Sequence, residues 1–214
     1  MERFVPKFQG RPWPDGARAL HVYALPDLDS DRELARLADT CREAMRAFPI
    51  SVLADGLLHS TVEMIADTTA DRISAAERDE LTAALREQLA GTGPLLVTAG
   101  SPIANRFGAF LDLHPDEGLV ALRERVRETV RAVRGPTALQ HDGGRPHMSL
   151  GYARGEGDSD RLQTALRQIS PSHAPLHVAN LHVVDVRFRE LPCGDGETGW
   201  DISWEPVAVI PLAS

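Results

Sequence analysis

Apolar residues along the chain follow two spacings. Short runs alternate with a period of two, as in half-buried strands, and longer runs recur every three or four residues, as in amphipathic helices. A strand is expected at 20–25, then a helix that Ser30 would cap, with Asp31 and Glu33 favouring its dipole. Leu34, Leu37, Ala38, Cys41 and Met45 mark its inner face, and Pro49 ends it. Strands follow at 50–53 and 57–65, with Ala54-Asp55-Gly56 as the turn between them. Ser74-Ala75-Ala76-Glu77 reads as a capping box for a helix carrying Leu81, Leu85 and Leu89, and Gly91 is a suitable stop. Strands at 95–99 and 107–113 flank an expected loop at 100–106. Asp116 opens a third helix, lined by Leu119, Leu122, Val126, Val130 and Val133 and ended by Gly135-Pro136. A polar loop at 140–145 leads into another strand, and a shorter helix is expected at 159–169. Segments 176–188 and 200–212 are apolar and β-rich, and are expected to add strands to the second half.

One stretch is written twice. Pro146-His147-Met148-Ser149-Leu150-Gly151-Tyr152 places His147 and Ser149 on one face of a strand, with Met148 and Leu150 turned inward. Leu58-His59-Ser60-Thr61-Val62-Glu63-Met64 repeats the pattern with His59 and Thr61, and period two puts Glu63 beside them and Val62 and Met64 behind. A strand, a Pro-Asp pair and a helix precede each copy, so Pro26 and Pro115 repeat at nearly the spacing of His59 and His147. The expected architecture is α+β: one bilobal domain with pseudo-symmetric strand–helix repeats near 19–99 and 107–190 and antiparallel sheets around a groove. An arm at 1–18 and strands at 198–212 flank the repeats.

Composition narrows the partners. The net charge is −8, and Lys7 is the only lysine, so the cationic side chains are almost all arginine. That balance argues against an extended nucleic-acid surface and leaves room for a small anionic substrate in a locally basic groove. The two cysteines make no disulfide framework; Cys41 reads as core and Cys193 as incidental. No run approaches membrane-spanning length and the N-terminus has no apolar leader pattern, so a cytoplasmic monomer is expected.

His59-Ser60-Thr61-Val62 and Pro146-His147-Met148-Ser149-Leu150 resemble the paired His-x-Thr/Ser-x motifs of the 2H (two-histidine) phosphoesterase superfamily. Val22-Tyr23-Ala24-Leu25-Pro26 and the proline before His147 resemble its 2′-5′ RNA ligase-like, or cyclic nucleotide phosphodiesterase, branch. The resemblance implies a bilobal fold with a pseudo-twofold axis and metal-independent opening of a 2′,3′-cyclic phosphate, typically to a 2′-phosphate. It also leaves open joining or cleavage of 2′-5′ linkages. The chain departs from the branch after the first motif, where Met64-Ile65-Ala66-Asp67 stands in place of Phe-Leu-Gly.

The residues support the same chemistry. One imidazole can activate water while another protonates the leaving oxygen. Thr61 and Ser149 can donate hydrogen bonds to phosphate oxygens as charge develops. Which histidine is base and which acid stays open. The expected catalytic set is therefore His59, Thr61, His147 and Ser149, with no cofactor and no metal, acting on a small nucleotide or an RNA end. Tyr23 is a candidate for stacking on a base, as is His21 on the same strand face, and Arg106 and Arg145 are candidates for substrate phosphate. Arg154 also flanks the motif, Phe107 and His114 read as structural, and His173, His177 and His182 look scattered. Two other readings remain: a non-catalytic nucleotide binder using the same groove, and a metallohydrolase built on His141 and His147.

Overall fold

The computed structural model describes residues 1–140, 143–194 and 196–213. The arm forms a small ladder from β1 (Lys7–Phe8) and β2 (Arg11–Pro12). Then come β3 (Arg18–Ala24), α1 (Arg32–Met45), β4 (Ile50–Val52), β5 (Ser60–Ile65) and α2 (Ala75–Leu89). They are followed by β6 (Leu95–Asn105), β7 (Gly108–His114), α3 (Glu117–Arg134) and β8 (His147–Ala153). The chain ends with α4 (Ser159–Leu166), β9 (His173–Val178), β10 (Asn180–Gly194) and β11 (Glu197–Pro211). Apart from the arm's ladder, the strands form two antiparallel sheets, ordered β11-β10-β3-β5 and β4-β8-β7-β6-β9. The fold is α+β, as the alternation of periods indicated.

The apolar stripes do what their spacing implies. Leu34, Leu37, Ala38, Cys41 and Met45 are all buried under α1, and Leu81, Leu85 and Leu89 under α2. The Ser74–Glu77 capping box is present with both reciprocal bonds, satisfying two donors at the start of α2. Ser30 does not cap α1. Its hydroxyl donates to Asp27 at 2.8 Å, and Asp31 takes the N-cap position. Asp31 in turn spends its buried carboxylate on His177.

Helices and sheets interleave across the sequence repeat. α1 packs on β9, β4 and β8 of the second sheet, beside α4, whereas α3 lies on β5 of the first sheet, beside α2. β10 and β11 join β3 in the first sheet, not the second half where the sequence reading put them. Local pattern fixes that a segment is a strand; its partner is set by long-range burial. The expected loop at 100–106 is also strand. β6 runs through it to a tight turn at Arg106-Phe107. β9 pairs with β6 only as far as Gly100, and beyond it Gln163 of α4 takes over the free edge. Its side chain accepts from Ala104 N at 2.8 Å and donates to Pro102 O at 3.3 Å. A proline is tolerated there because no ladder bond needs its missing N–H.

The arm spans both sheets. Phe4 N donates to Ala153 O at 2.7 Å and Glu2 N to Arg106 O at 2.7 Å, on the second sheet's side. Trp13 is buried, with its ring 4.9 Å from Phe188 and 6.4 Å from His21 on the first. No helix among the described residues is long and apolar enough to cross a membrane.

Candidate active site at the seam of the two sheets

β5 and β8 meet where the sheets adjoin. An isolated antiparallel bridge joins His59 to Ser149, and Ser149 N donates to His59 O at 3.2 Å. The two motifs are thereby set side by side, with His59 facing Ser149. The two histidines are then diagonal neighbours across an antiparallel pair, a relation that sets Cα atoms about 7–8 Å apart.

Both rings are oriented alike. His59 Nδ1 donates to Leu57 O at 2.7 Å, and His147 Nδ1 to Arg145 O at 2.9 Å, each a carbonyl two residues upstream. A carbonyl only accepts, so each Nδ1 carries its proton, and Nε2 is the nitrogen left for chemistry. An aromatic ring supports each imidazole from the neighbouring strand. Tyr23, the cross-strand partner of Thr61, stacks on His59 at 4.6 Å and 21°. Phe110, the partner of Ser149, meets His147 edge-on at 5.1 Å.

Each motif strand carries one extra residue directly after its hydroxyl. In β5 the register with β3 jumps from Thr61 to Glu63, leaving Val62 as a bulge; in β8 the register with β7 jumps from Ser149 to Gly151, leaving Leu150. A bulge reverses which face later residues take. Glu63 therefore pairs with Val22 and turns away from the groove, against the period-two reading that set it beside His59 and Thr61. It is 1% exposed and forms an ion pair with Arg127 of α3. Met64 moves the other way, opposite His21. In β8 the same reversal delivers Tyr152 to the face of His147 and Ser149. Its hydroxyl lies 3.4 Å from His59 Nε2 and shares a hydrogen bond with Ser149. Gly151, beside the bulge, lets β4 lie close against β8, since a Cβ there would stand 2.7 Å from Ile50 and 2.8 Å from Ser51 O.

The family model of the 2′-5′ RNA ligase superfamily matches residues 64–187, more than half of the chain. The chain belongs to that superfamily. The fold agrees with solved 2H phosphoesterases. The crystal structure of E. coli LigT in apo form superposes with a TM-score of 0.61 at 14% identity, covering 92% of this chain and 99% of that one. TT0787 of Thermus thermophilus gives 0.63 at 14% identity, with 91% and 97% covered. LigT has also been solved with 3′-AMP, with the same identity and coverage as the apo form. No curated protein sequence matches the chain.

Within this 2′-5′ RNA ligase superfamily fold the two imidazoles are not equivalent. His59 is 3% exposed, closed in by Tyr23, Tyr152 and Trp204. The Trp204 ring stands nearly perpendicular to both His59 and Tyr23, at 5.4 and 5.3 Å. Burial pushes His59 down to about 4, partly opposed by its bond to Leu57 and reinforced by the nearby His147. His147, Thr61, Ser149 and Tyr152 are half-buried beside it.

The other sequence candidates sort by place. Tyr23 is 1% exposed beneath His59, so it supports the imidazole and offers no face to a base; burial holds its hydroxyl well above the usual tyrosine range. His21 is also buried. Arg106 sits at the β6–β7 turn, bound to Glu2 of the arm and 5.5 Å from the Phe107 ring centroid, and so is tied to the arm. Arg145 is exposed beside His147, with Asp116 at 3.5 Å and Asp112 at 3.8 Å. Phe107 is exposed rather than core. His141 lies outside the described residues, among which no group of three or more His, Cys, Asp or Glu gathers to hold a metal. Tyr152 and Trp204 had no sequence signal. Period two hides the first on the wrong face, and the second arrives on β11 through a pairing no local pattern encodes.

Proposed function

We propose that this chain is a two-histidine phosphoesterase that opens 2′,3′-cyclic phosphates on nucleotides or RNA ends without a metal. The observation that carries the reading is the His59–Ser149 bridge, which sets both motifs against each other with both Nδ1 atoms already committed to carbonyls. In this reading His59 is the base. Burial keeps it neutral, so its Nε2 lone pair can take a proton from the attacking water. His147, on the more open side, protonates the leaving 3′-oxygen as the P–O3′ bond breaks, and a 2′-phosphate remains. Thr61 and Ser149 donate to the non-bridging oxygens as negative charge grows. Tyr152 holds His59 Nε2 and Ser149 in one network. The reverse reaction exchanges the two histidine roles, so ligation or cleavage of 2′-5′ linkages uses the same groups.

The test is turnover of 2′,3′-cyclic mononucleotides in excess chelator. Activity should survive chelation and be lost in both His59→Ala and His147→Ala. Activity indifferent to either substitution overturns the reading. Nucleotide binding without turnover of any cyclic or 2′-5′ substrate would make the groove a binding site only, a role suggested by LigT crystals that hold NADP+, ATP or 3′-AMP.

A further inference from the structure

Three rings surround the seam, and two of them are held from within the sheets. His59 rests on Tyr23 and His147 meets Phe110, each supplied by a neighbouring strand. Tyr152 has no such support. Its cross-strand partners are Gly108 on β7 and Ser51 on β4. Neither can flank an aromatic ring, because Gly108 has no side chain and Ser51 ends in a single hydroxyl. Gly108 cannot be replaced by a larger residue. A Cβ there would stand 2.1 Å from Gly151 O, and its φ of +152° is one that other residues rarely adopt.

The arm fills that place from outside the sheets. Phe4 lies flat on Tyr152, with ring centroids 4.4 Å apart and 16° between the planes. Phe188 of the first sheet meets both rings, 6.2 Å from Phe4 and 6.4 Å from Tyr152. Phe4 N donates to Ala153 O at 2.7 Å, one residue past Tyr152, so backbone and ring are tied at the same point. Arg3 fastens the arm to the first sheet. Its Nε donates to Thr198 O at 2.8 Å, and its guanidinium pairs with Glu190.

What Phe4 steadies is a hydroxyl. His59 Nδ1 donates to Leu57 O, so Nε2 is an acceptor and the Tyr152 hydroxyl is the donor across 3.4 Å. The same hydroxyl is bonded to Ser149, and burial pushes it up to about 12, so it keeps its proton. The contact with Nε2 is long for a hydrogen bond, and a small tilt of the ring would break it.

We propose that Phe4 is a positioning residue for the phosphoesterase reaction, stacking on Tyr152 so that its hydroxyl stays between His59 Nε2 and Ser149. A flat aromatic contact restrains both the tilt and the slide of a ring. A donor on Nε2 favours the neutral imidazole, so the arm also helps to keep the base free of a proton. The inference rests on the phosphoesterase reading for its reaction, but the protonation of His59 reports on it without turnover.

The experiment measures kcat and KM on adenosine 2′,3′-cyclic phosphate for Phe4→Ala, Phe4→Tyr, Tyr152→Phe and the double variant Phe4→Ala with Tyr152→Phe. Circular dichroism checks that each is folded. Phe4→Ala should lower kcat about three- to tenfold with little change in KM, and Phe4→Tyr, which keeps the ring, should restore it. In the Tyr152→Phe background Phe4→Ala should cost less than about twofold, because the hydroxyl it positions is already gone. NMR titration of the His59 ring should show its pKa raised in Phe4→Ala and in Tyr152→Phe, and raised no further in the double variant. Equal losses in both backgrounds, or a His59 titration unmoved by Phe4→Ala, overturn the proposal. Should no cyclic phosphate turn over, the phosphoesterase reading fails alone and the titration decides. Should Phe4→Ala not fold, Phe4→Leu takes its place, keeping the bulk and losing the stack, with the same shift required.

Discussion

The hydroxyl of Tyr152 reaches to 3.4 Å from His59 Nε2, the nitrogen that the Leu57 carbonyl leaves free on the other side of the ring. A residue outside both His-x-Thr/Ser motifs thus reaches the nitrogen that the proposed mechanism uses as base. Tyr152→Phe keeps the stack on Phe4 and removes only this contact. It should lower kcat several-fold to tenfold while changing stability by no more than about 1.5 kcal/mol. Steady-state kinetics beside urea unfolding would show this, and an unchanged kcat would remove Tyr152 from the network.

Removing either imidazole should cost about 10²- to 10⁴-fold in kcat, the usual worth of acid–base assistance. In the proposed mechanism the two act on one phosphorus, so the double variant should be little worse than the poorer single one. Losses that multiply would mean that the two histidines act independently.

His59 makes stability depend on pH. Its folded value, near 4, lies below the ordinary 6.5 of histidine, so the unfolded chain takes up a proton first on acidification. The penalty for this is absent above pH 6.5, grows as pH falls through the window from 6.5 to about 4, and is complete below it. The loss is on the order of 3 kcal/mol. Urea unfolding at pH 7, 5.5 and 4.5 should show a steeper decline for wild type than for His59→Gln. The acid limb of kcat/KM should also fall near pH 4 and not near 6.5; equal slopes and a limb near 6.5 would contradict the burial argument.

The buried Glu63 carboxylate pairs with the half-buried Arg127 behind the groove. Burial pushes the Glu63 carboxyl up against the opposing pull of Arg127. Arg127→Met should destabilise by about 3–5 kcal/mol by stranding a charge, and Glu63→Gln in the same chain should recover much of it. Activity per folded molecule should stay near wild type in both. A selective loss of activity would return Glu63 to the groove.

Local pattern disclosed the helices, their faces, the capping box and both motifs, because each is written in spacing a few residues long. It misplaced Glu63 and overlooked Tyr152 for one cause, an extra residue after Thr61 and another after Ser149. A bulge leaves no mark in an apolar–polar alternation; Gly151, needed by the closeness of β4, was the one hint. The loop expected at 100–106 failed because Gly, Ser and Pro disfavour strands unless an outside group such as Gln163 satisfies the edge. Trp204 was beyond reach, since its approach to His59 depends on how β11, β10 and β3 assemble.

The trade of helices between the two repeats has a mechanical result. The backbone passes back and forth between the lobes: β3 to α1, β4 to β5, α2 to β6, β7 to α3, α3 to β8, and β9 to β10. So many covalent tethers leave no single pivot about which one lobe could swing. The distance separating the paired imidazoles is set when the polypeptide folds, and a substrate arrives at jaws already clamped in position.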